Sequence, residues 1–498
     1  MLNLEKVTEA LRLGTWPIDC PEMKLGRPNT PRPSEYEGCG YLKQAAGGNI
    51  TYKLYPTPKP GFALHSMVPD IVAGRILGDD SFHQLDAVDM EGNVWHAEQT
   101  MPSPHTSFVG GNQFRYVTGD AYQLLTTCPQ MHSVSSLKMM FFTEERVPGN
   151  ATTEVTTKFS DGNWTRSSSL DTAVFSTDSG AFSIFNRPGT LVVKVVSPEK
   201  FPAHFETRIV EALSFVLAKR LSWNVLEFVE DGVETVRLRG RHGGIGSKLQ
   251  PPIATGTIDM SGGGVWQLFD KYLTMVCAHT SPSLHPCSRH VFAVLEASAG
   301  TINARALALG VAVEGIAKDL FPNAAALPPT LKPSTDRLLT YFRDWPEFDD
   351  EVTKQALLVR VEGMLGNISD VNAKSRLHAL AKQGAVSERH IKLWSKLRNT
   401  TAHGVTQEMD DLAIQKFLDL CDGTTVLMYH LIFQKVGYKG NYVDYSVHGY
   451  PRKYYRGRPP TEKEIAVSAY YLWERADARH DHDIEDWFAA KVELGAGT

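Results

Sequence analysis

The feature that most limits how this chain can fold is a change of pattern near residue 285. From about residue 49 to that point, short apolar or alternating runs such as NITYKLYP and GTLVVKVVS are separated by Gly, Pro, Asn and Asp. Beyond it, segments such as EVTKQALLVRVEGMLG repeat their apolar residues at helical spacing. The first pattern is typical of antiparallel strands joined by turns, and the second of an antiparallel helical bundle. The sequence therefore predicts an α+β protein.

A chain of 498 residues is too long for one ordinary hydrophobic core, so we expect several domains. In the connector between the two patterns, ETRIVEALSFVLAKRL predicts an amphipathic helix and Asp231-Gly232 predicts a hairpin turn. The predicted segments are an irregular lead-in (1–48), a β-rich sandwich or barrel (49–202), a mixed α/β connector (203–284), a helical bundle (285–435), a basic Tyr-rich linker (436–460) and a small acidic helical tail (461–498).

Composition excludes several classes of protein. The net charge of −5 gives no general attraction to nucleic acid, so RNA contact would need a local basic patch. No run reaches the roughly 18 apolar residues of a membrane span, and the first residues lack the apolar core of a signal peptide. The six cysteines lie far apart without a C-x-x-C pair, which favours free thiols over disulfides or a zinc site. We expect a cytoplasmic protein without a metal cofactor and without membrane contact.

One stretch, SERHIKLWSKLRNTTAHG, combines a core-forming helix with residues suited to chemistry. Ser387 is a good N-cap and the closing Gly is a common helix stop, so a helix is predicted between them. Its apolar residues form one broad arc, with Arg398 at the edge. Asn399 and His403 lie one turn apart on the other side. The pattern places a guanidinium at a partly buried seam, with an amide and an imidazole beside it.

These residue types suit the cleavage of RNA without a metal ion. Attack by a 2′-hydroxyl on the adjacent phosphate needs proton transfer, for which the imidazole of His403 titrates in a suitable range. Charge that builds on the phosphoryl oxygens would be stabilised by the guanidinium of Arg398. Asn399 would orient the imidazole or bind a phosphate oxygen. The nearby helix C-terminus would favour the protonated form of His403.

Spacing alone is a weak signal, since R-x4-H also begins at Arg237 and at Arg475. Arg398 differs because a polar residue follows it, because it lies in a capped helix, and because a helical bundle surrounds it. On these residues, the segment 285–435 resembles the HEPN superfamily, a family of helical bundles. Its active members carry R-[polar]-x-x-x-H and cleave RNA without a metal.

The resemblance implies further features. In that family two protomers usually combine their sites, which implies a homodimer. An acidic residue on an early helix is common there, and ALGVAVEGIAKDLF places Glu314 at that position as a polar partner of Arg398 and His403. The order of a β-rich region, a helix and this bundle is similar to ApeA-type HEPN proteins of bacterial phage defence. It implies an endoribonuclease in antiphage defence or a toxin-like response, with tRNA or mRNA as substrate and a phage-derived or cellular trigger sensed by the β-rich region.

A non-catalytic interpretation stays open. In it, Arg398 forms a buried ion pair with Glu314, His403 caps a helix, and the bundle only dimerises. The protein would then be a regulator that binds RNA or another ligand. Solvent exposure separates the two hypotheses, because a nuclease needs Arg398 and His403 open at a cleft and a scaffold buries them.

A second candidate site lies in residues 434–458, which hold six Lys or Arg, one acid (Asp444) and six tyrosines, for a net charge of +5. Cations with interleaved aromatic rings suit single-stranded RNA through phosphate neutralisation and base stacking. The alternative is a linker that packs on its neighbours through its tyrosines. The predicted nucleic-acid-binding residues are Arg452, Lys453, Tyr454, Tyr455, Arg456 and Arg458.

The tail resembles a short bacterial domain of unknown function with the pattern A-Y-x-L-W-E … D-W-x-x-A-E-x-E-L. With nine acids and four bases, residues 461–498 carry a net charge of −5, and we expect them to fold over the basic stretch and shield it. Alternating residues such as HDHD (480–483) rarely converge on a metal ion, so we predict no metal there. The residues that fit the pattern are Ala469, Tyr470, Leu472, Trp473, Glu474, Asp486, Trp487, Ala490, Glu493 and Leu494, while Lys491 departs from it.

Overall fold

The computed structural model of this chain describes residues 4–28, 36–46, 48–57, 81–109, 112–129, 134–158, 164–240, 246, 249–254, 263–325, 330–345, 350–369, 371–402, 410–475 and 483–493. The chain divides into two compact units. The β unit comprises Met1–Val210, Leu221–Ile245 and Ile258–Gly263, and the helical unit comprises Glu211–Arg220, Gly246–Thr257 and Gly264–Thr498. The division passes through helix α2 (Phe205–Val216).

The β unit contains one short helix, α1 (Leu4–Leu13), and fifteen strands in its described residues. The strands are β1 (Pro17–Gly26), β2 (Tyr36–Gln44), β3 (Ile50–Pro56), β4 (His83–Val88), β5 (Val94–Thr100), β6 (Ser103–Val109), β7 (Asn112–Ala121), β8 (Gln123–Pro129), β9 (Ser135–Phe141), β10 (Ala151–Lys158), β11 (Trp164–Thr177), β12 (Gly180–Arg187), β13 (Thr190–Ser197), β14 (Val225–Glu230) and β15 (Val233–Arg239).

These strands form one antiparallel sheet with a weak join in its middle. The order is β10-β11-β12-β13-β9-β14-β15-β8-β5-β4-β1-β2-β3-β7-β6. Strands β5 and β8 share a single residue pair, His96 with Leu125, whereas other neighbours pair along most of their length. The sheet therefore has an eight-strand part and a seven-strand part. Apolar side chains from both parts, including Trp95 and Val236, belong to one buried core.

The prediction of an irregular lead-in over residues 1–48 is wrong, because its described residues supply the two strands β1 and β2 after the short helix α1. The run GRPNTPRPSEYEGCG suggested a loop, but its last residues, from Tyr36, form β2. Two earlier prolines lie where a strand tolerates them: Pro17 begins β1, and Pro21 lies within its shift of register. The glycines of β2 have a packing role instead of a turn role. A Cβ atom on Gly38 or Gly40 would overlap the backbone of β3. Close strand approach explains this Gly content.

The predicted hairpin turn at Asp231-Gly232 is present between β14 and β15, where Glu230 pairs with Val233. Both turn residues have positive φ, 52° and 75°, as a type I′ turn requires. This hairpin is part of the large sheet, so the predicted connector (203–284) is not a separate region. Its remaining part supplies α2 and a further helix of the helical unit.

The C-terminal part of the chain is helical, as the 3.6-residue periodicity predicted, so the α+β class is confirmed. Gly300 and the N-cap Thr301 divide the long apolar segment after residue 285 into two helices. Gly437, with φ of 68°, ends the longest helix, whose side chains are almost continuously buried from Leu420 to Phe433. The helices are α3 (Gly263–Cys277), α4 (Pro286–Ser298), α5 (Ile302–Leu320), α6 (Leu331–Arg343), α7 (Glu351–Ser369), α8 (Ala373–Lys382), α9 (Glu388–Ala402) and α10 (Asp411–Val436). Helices α4, α5, α8, α9 and α10 pack against one another and form the bundle, whereas α6 packs against α7.

The segment predicted as a linker (436–460) is instead a β-hairpin formed by β16 (Gly440–Val443) and β17 (Arg452–Tyr455). It leads into the tail, which is helical as predicted and contains α11 (Glu462–Arg475) and α12 (Asp483–Glu493). No helix in the described ranges has both the length and the apolar character of a membrane span.

Candidate functional site

Helix α9 carries the first candidate site, and its local structure follows the sequence closely. The backbone N–H of Arg389 donates to the Ser387 hydroxyl at 3.2 Å, so Ser387 caps the helix as predicted. Ile391, Trp394 and Leu397 form the buried face. This face fixes the rotation of α9 and thereby places Arg398 at the margin of the bundle.

Helix α5 packs against that margin. The indole N–H of Trp394 donates to the backbone oxygen of Gly310 at 3.1 Å, which joins the two helices where α5 lacks a side chain. Glu314 follows one turn later on α5. Its Oε2 lies 2.9 Å from Nη2 of Arg398, and the two side chains are 43% and 54% exposed. The structure therefore brings together two of the four predicted catalytic residues.

This ion pair is exposed, whereas the non-catalytic hypothesis requires a buried one. Arg398 is also not free, because Glu314 holds its guanidinium. An exposed pair of this kind contributes at most about 1 kcal/mol to stability, because water solvates both charges. A phosphodiester that approaches Arg398 can compete with Glu314 at a similarly small cost. The pair thus fits a guanidinium that is held in place at rest and remains accessible to an anionic ligand.

Of the other two predicted catalytic residues, the structure describes only Asn399. Asn399 is exposed, and its side chain makes no hydrogen bond to any described residue. His403 and the Gly after it lie outside the described residues, as do residues 480–482 of the HDHD sequence. A contact between Arg398 and His403 stays a prediction. Among the described side chains, no three His, Cys, Asp or Glu residues converge as metal ligands.

The hairpin of β16 and β17 divides the predicted RNA-binding residues between two faces, since side chains alternate along a strand. Tyr455 points inward and is 5% exposed. Its hydroxyl lies 3.0 Å from the backbone oxygen of Ala385 and 3.0 Å from Oε1 of Gln434. Lys453 donates to the buried carboxylate of Asp444 at 2.8 Å. The predicted stacking role of Tyr455 is therefore wrong, because its ring belongs to the core.

The alternative of a segment that packs through its tyrosines describes most of these rings. Tyr450 and Tyr454 remain exposed, at 47% and 51%. The packed rings face α10 and the loops around it, where apolar burial stabilises the hairpin. The buried tyrosines are Tyr438, Tyr442, Tyr445 and Tyr455.

The outward face of the hairpin keeps cations and one ring available. Arg452 and Tyr454 lie on it, two residues apart on β17. The guanidinium of Arg456 lies 5.4 Å from the centre of the Tyr454 ring, within cation–π distance. Arg458 instead makes two hydrogen bonds to Glu464 of α11, both at 2.9 Å. Three of the six predicted binding residues thus face solvent without a carboxylate partner among the described residues: Arg452, Tyr454 and Arg456.

A buried polar cluster between α9, α10 and the hairpin escaped the sequence analysis. Nε2 of His390 lies 2.9 Å from the Ser446 hydroxyl, which donates to Asp444. The rings of His390 and His430 are 5.5 Å apart. The one signal in the sequence is spacing, because His390 falls on the same helical face as the buried Trp394.

Burial controls the ionisation of this cluster. It lowers the pKa of His390 to about 4, although the nearby Asp444 carboxylate opposes this shift. Burial also lowers the pKa of His430 well below its usual value. Burial alone would raise the pKa of Asp444, but hydrogen bonds from Lys453 and Ser446 outweigh it and lower that pKa. Both imidazoles are therefore neutral near neutral pH, and the cluster joins the hairpin to the bundle.

Comparison with known proteins identifies only the end of the chain. Residues 460–496 match the family model described as "Protein of unknown function (DUF2934)". This segment contains α11 and α12 and covers less than a tenth of the chain. No curated protein sequence matches the chain. No solved structure matches it either.

Proposed function

We propose that this protein is a metal-independent endoribonuclease of the HEPN type. The observation that carries the proposal is the position of Arg398, half exposed at the contact of α5 and α9 and held by Glu314 through a surface ion pair. A guanidinium in this position has an orientation set by the bundle and stays open to a phosphodiester. His403, with its imidazole, follows on the same segment.

In the proposed reaction the 2′-oxygen of one nucleotide attacks the adjacent phosphorus. The 2′-hydroxyl loses its proton, the new P–O bond forms, the bond to the 5′-oxygen breaks, and that oxygen gains a proton. His403 serves as the general acid and base. Arg398 binds the phosphate and stabilises the charge that develops on its oxygens, and Asn399 orients the site. The products are a 2′,3′-cyclic phosphate and a 5′-hydroxyl.

We also propose a homodimer, and an exposed apolar surface on α5 supports it. Leu307 and Val311 are 55% and 58% exposed and lie on the helical face that continues to Glu314. A second copy seated on this face would cover both side chains and bring two Arg398–Glu314 pairs near each other.

The enzyme would act in the bacterial cytoplasm on tRNA or mRNA, in antiphage defence or a toxin-like response, with the β unit sensing a phage-derived or cellular trigger.

The test is RNA cleavage by the purified full-length protein in EDTA, with total tRNA and with mRNA as substrates. We expect wild-type protein to leave 2′,3′-cyclic phosphate or 3′-phosphate ends, and Arg398→Ala and His403→Ala each to lower the rate by at least about 100-fold. Lys392→Ala is the control, because Lys392 is an exposed cation on the same helix. Equal cleavage by wild type and both site variants would refute the assignment.

A second candidate function is a non-catalytic regulator that binds RNA or another ligand. The specific observation in its favour is that Glu314 already neutralises Arg398. If wild-type protein binds RNA with an affinity that depends on the hairpin but never cleaves it, including with lysate from phage-infected cells as trigger, this function replaces the nuclease.

A further inference from the structure

A groove lies between the end of β17 and helix α11, and the nuclease proposal does not use it. On one side is Arg456, immediately after β17. On the other side, Lys463, Val467 and Tyr471 follow at intervals of four residues and therefore share one face of α11. The residues that line the groove are Arg456, Lys463, Glu464, Val467, Ser468 and Tyr471.

Helix α11 is fixed to the hairpin by one carboxylate with two tasks. Glu464 accepts two hydrogen bonds from Arg458, both at 2.9 Å. It also accepts from the backbone N–H of Thr461 at 2.8 Å, while its own N–H donates to the Thr461 hydroxyl at 3.3 Å. This reciprocal arrangement is a capping box that begins α11. The Arg458 hydrogen bonds, followed by those from Thr461, lower the pKa of Glu464 to about 2.

The engagement of Glu464 leaves a positive groove. The negative charge of Glu464 is balanced by Arg458, whereas neither Arg456 nor Lys463 pairs with a carboxylate in the described part of the chain. The guanidinium of Arg456 lies over the ring of Tyr454, 5.4 Å from its centre. The groove therefore offers two cations that neutralise phosphates, with Glu464 already compensated.

Aromatic and apolar surface lies beside these cations. Tyr454 and Tyr471 are 51% and 55% exposed, and Val467 is 48% exposed. Exposed rings beside unpaired cations suit a nucleic-acid strand whose bases are free to stack and whose phosphates remain outside. A duplex hides its base faces in its own stack, so it cannot use the two tyrosines in this way.

We infer that this groove binds a single-stranded segment of RNA, with Lys463 and Arg456 on phosphates and a base on Tyr471. Tyr454 lies outside the groove lining but beside Arg456, where a neighbouring base of the same strand would stack. In this inference α11 is one wall of the binding site, whereas a shielding tail would cover the basic hairpin. The inference rests on the proposed function for the choice of RNA as the ligand. It gives the matched segment of unknown function a role, which is to complete a binding groove with the chain that precedes it.

The experiment measures binding of a short fluorescein-labelled oligouridylate to the full-length protein by anisotropy in EDTA, across a series of salt concentrations. We expect Tyr471→Ala to raise Kd about tenfold, because one base loses its stacking partner. Tyr470→Ala is the matched control, since Tyr470 is equally exposed at 55% and does not line the groove. A Kd for Tyr471→Ala that equals that of Tyr470→Ala would overturn the inference.

The salt dependence separates a phosphate contact from a loss of folding. Lys463→Gln should make the slope of log K against log[salt] shallower by about 0.7, the value for one phosphate contact with a single strand. Lys416→Gln, which removes an exposed cation on α10, should leave the slope unchanged. An unchanged slope for Lys463→Gln would refute its phosphate contact. Equal loss of affinity for double-stranded RNA would refute the single-strand assignment.

Cleavage assays on the same variants show which proposal fails. If cleavage depends on Arg398 but RNA binding is unchanged by substitution of Tyr471 and Lys463, the groove proposal is refuted and the nuclease proposal stands. If RNA binding depends on these two residues but wild-type protein does not cleave RNA, the groove proposal stands and the non-catalytic regulator is favoured.

Discussion

The buried histidine pair makes the helical unit sensitive to acid. Above pH 6.5 both imidazoles are neutral whether the chain is folded or unfolded. Below that value the unfolded chain takes up protons that His390 cannot accept until about pH 4. A lowered pKa in the folded state therefore removes stability as the pH falls from 6.5 towards 4. His430, whose pKa is also lowered, acts in the same direction.

The expected size follows from the shifts. One pKa unit corresponds to about 1.4 kcal/mol, so at pH 5.5 each histidine lowers the free energy of unfolding by about 1.4 kcal/mol relative to pH 7.5, and the pair lowers it by about 3 kcal/mol. Hydrogen exchange of amides in α10 measures this locally, as the free energy of opening at the two pH values. The Asp444 carboxylate that faces the pair stays ionised over this range, because its pKa is lowered.

A variant isolates the contribution of one imidazole. His430→Phe keeps a ring among Phe433, Tyr442 and Tyr455 and removes an Nε2 atom that has no hydrogen-bond partner among the described residues. We expect it to remove about half of the pH dependence. His448→Gln, an exposed position on the same hairpin, should change nothing. If wild type and His430→Phe lose equal opening free energy between pH 7.5 and 5.5, the account of a neutral buried pair is refuted.

Two further predictions concern the bundle and its surface. Arg305 and Asp422 form a 2.8 Å ion pair in which each side chain is only 9% exposed, so Asp422→Ala should cost about 3–5 kcal/mol in urea unfolding; a loss below about 1 kcal/mol would contradict this. Val311→Glu should convert the proposed homodimer to a monomer in light scattering, whereas Val359→Glu, at a position 62% exposed on α7, should not; equal masses for both variants would exclude the α5 surface as the interface.

Periodicity predicted the classes of structure well but not which faces meet. The strand and helix patterns gave the α+β class, the Asp231-Gly232 turn and the start of α9, because these depend on local backbone preferences. The lead-in was missed because glycines such as Gly38 and Gly40 in GRPNTPRPSEYEGCG have the same sequence signal in a loop as in a strand with a close neighbour. Only strand pairing distinguishes these cases.

The candidate sites show the same limit. The contact of Arg398 with Glu314 joins residues 84 positions apart, so it depends on how α5 and α9 cross, and the family resemblance supplied it rather than the spacing. Tyr454 and Tyr455 are adjacent residues of the same type, yet Tyr454 is exposed and Tyr455 is buried. The register of a short hairpin decides this, and the sequence contains no turn signal strong enough to set that register.

The single pair between β5 and β8 has a consequence for how the β unit responds to load. Backbone ladders are directional and resist a change of angle between neighbouring strands, whereas apolar packing has no preferred direction. Among the described residues, the backbone pairing between the two parts of the sheet is the single His96–Leu125 pair, whereas the apolar core is common to both parts. The two parts can therefore rotate against each other if one backbone pair breaks and some apolar side chains repack. This makes the β5–β8 contact the most easily deformed point of the sheet.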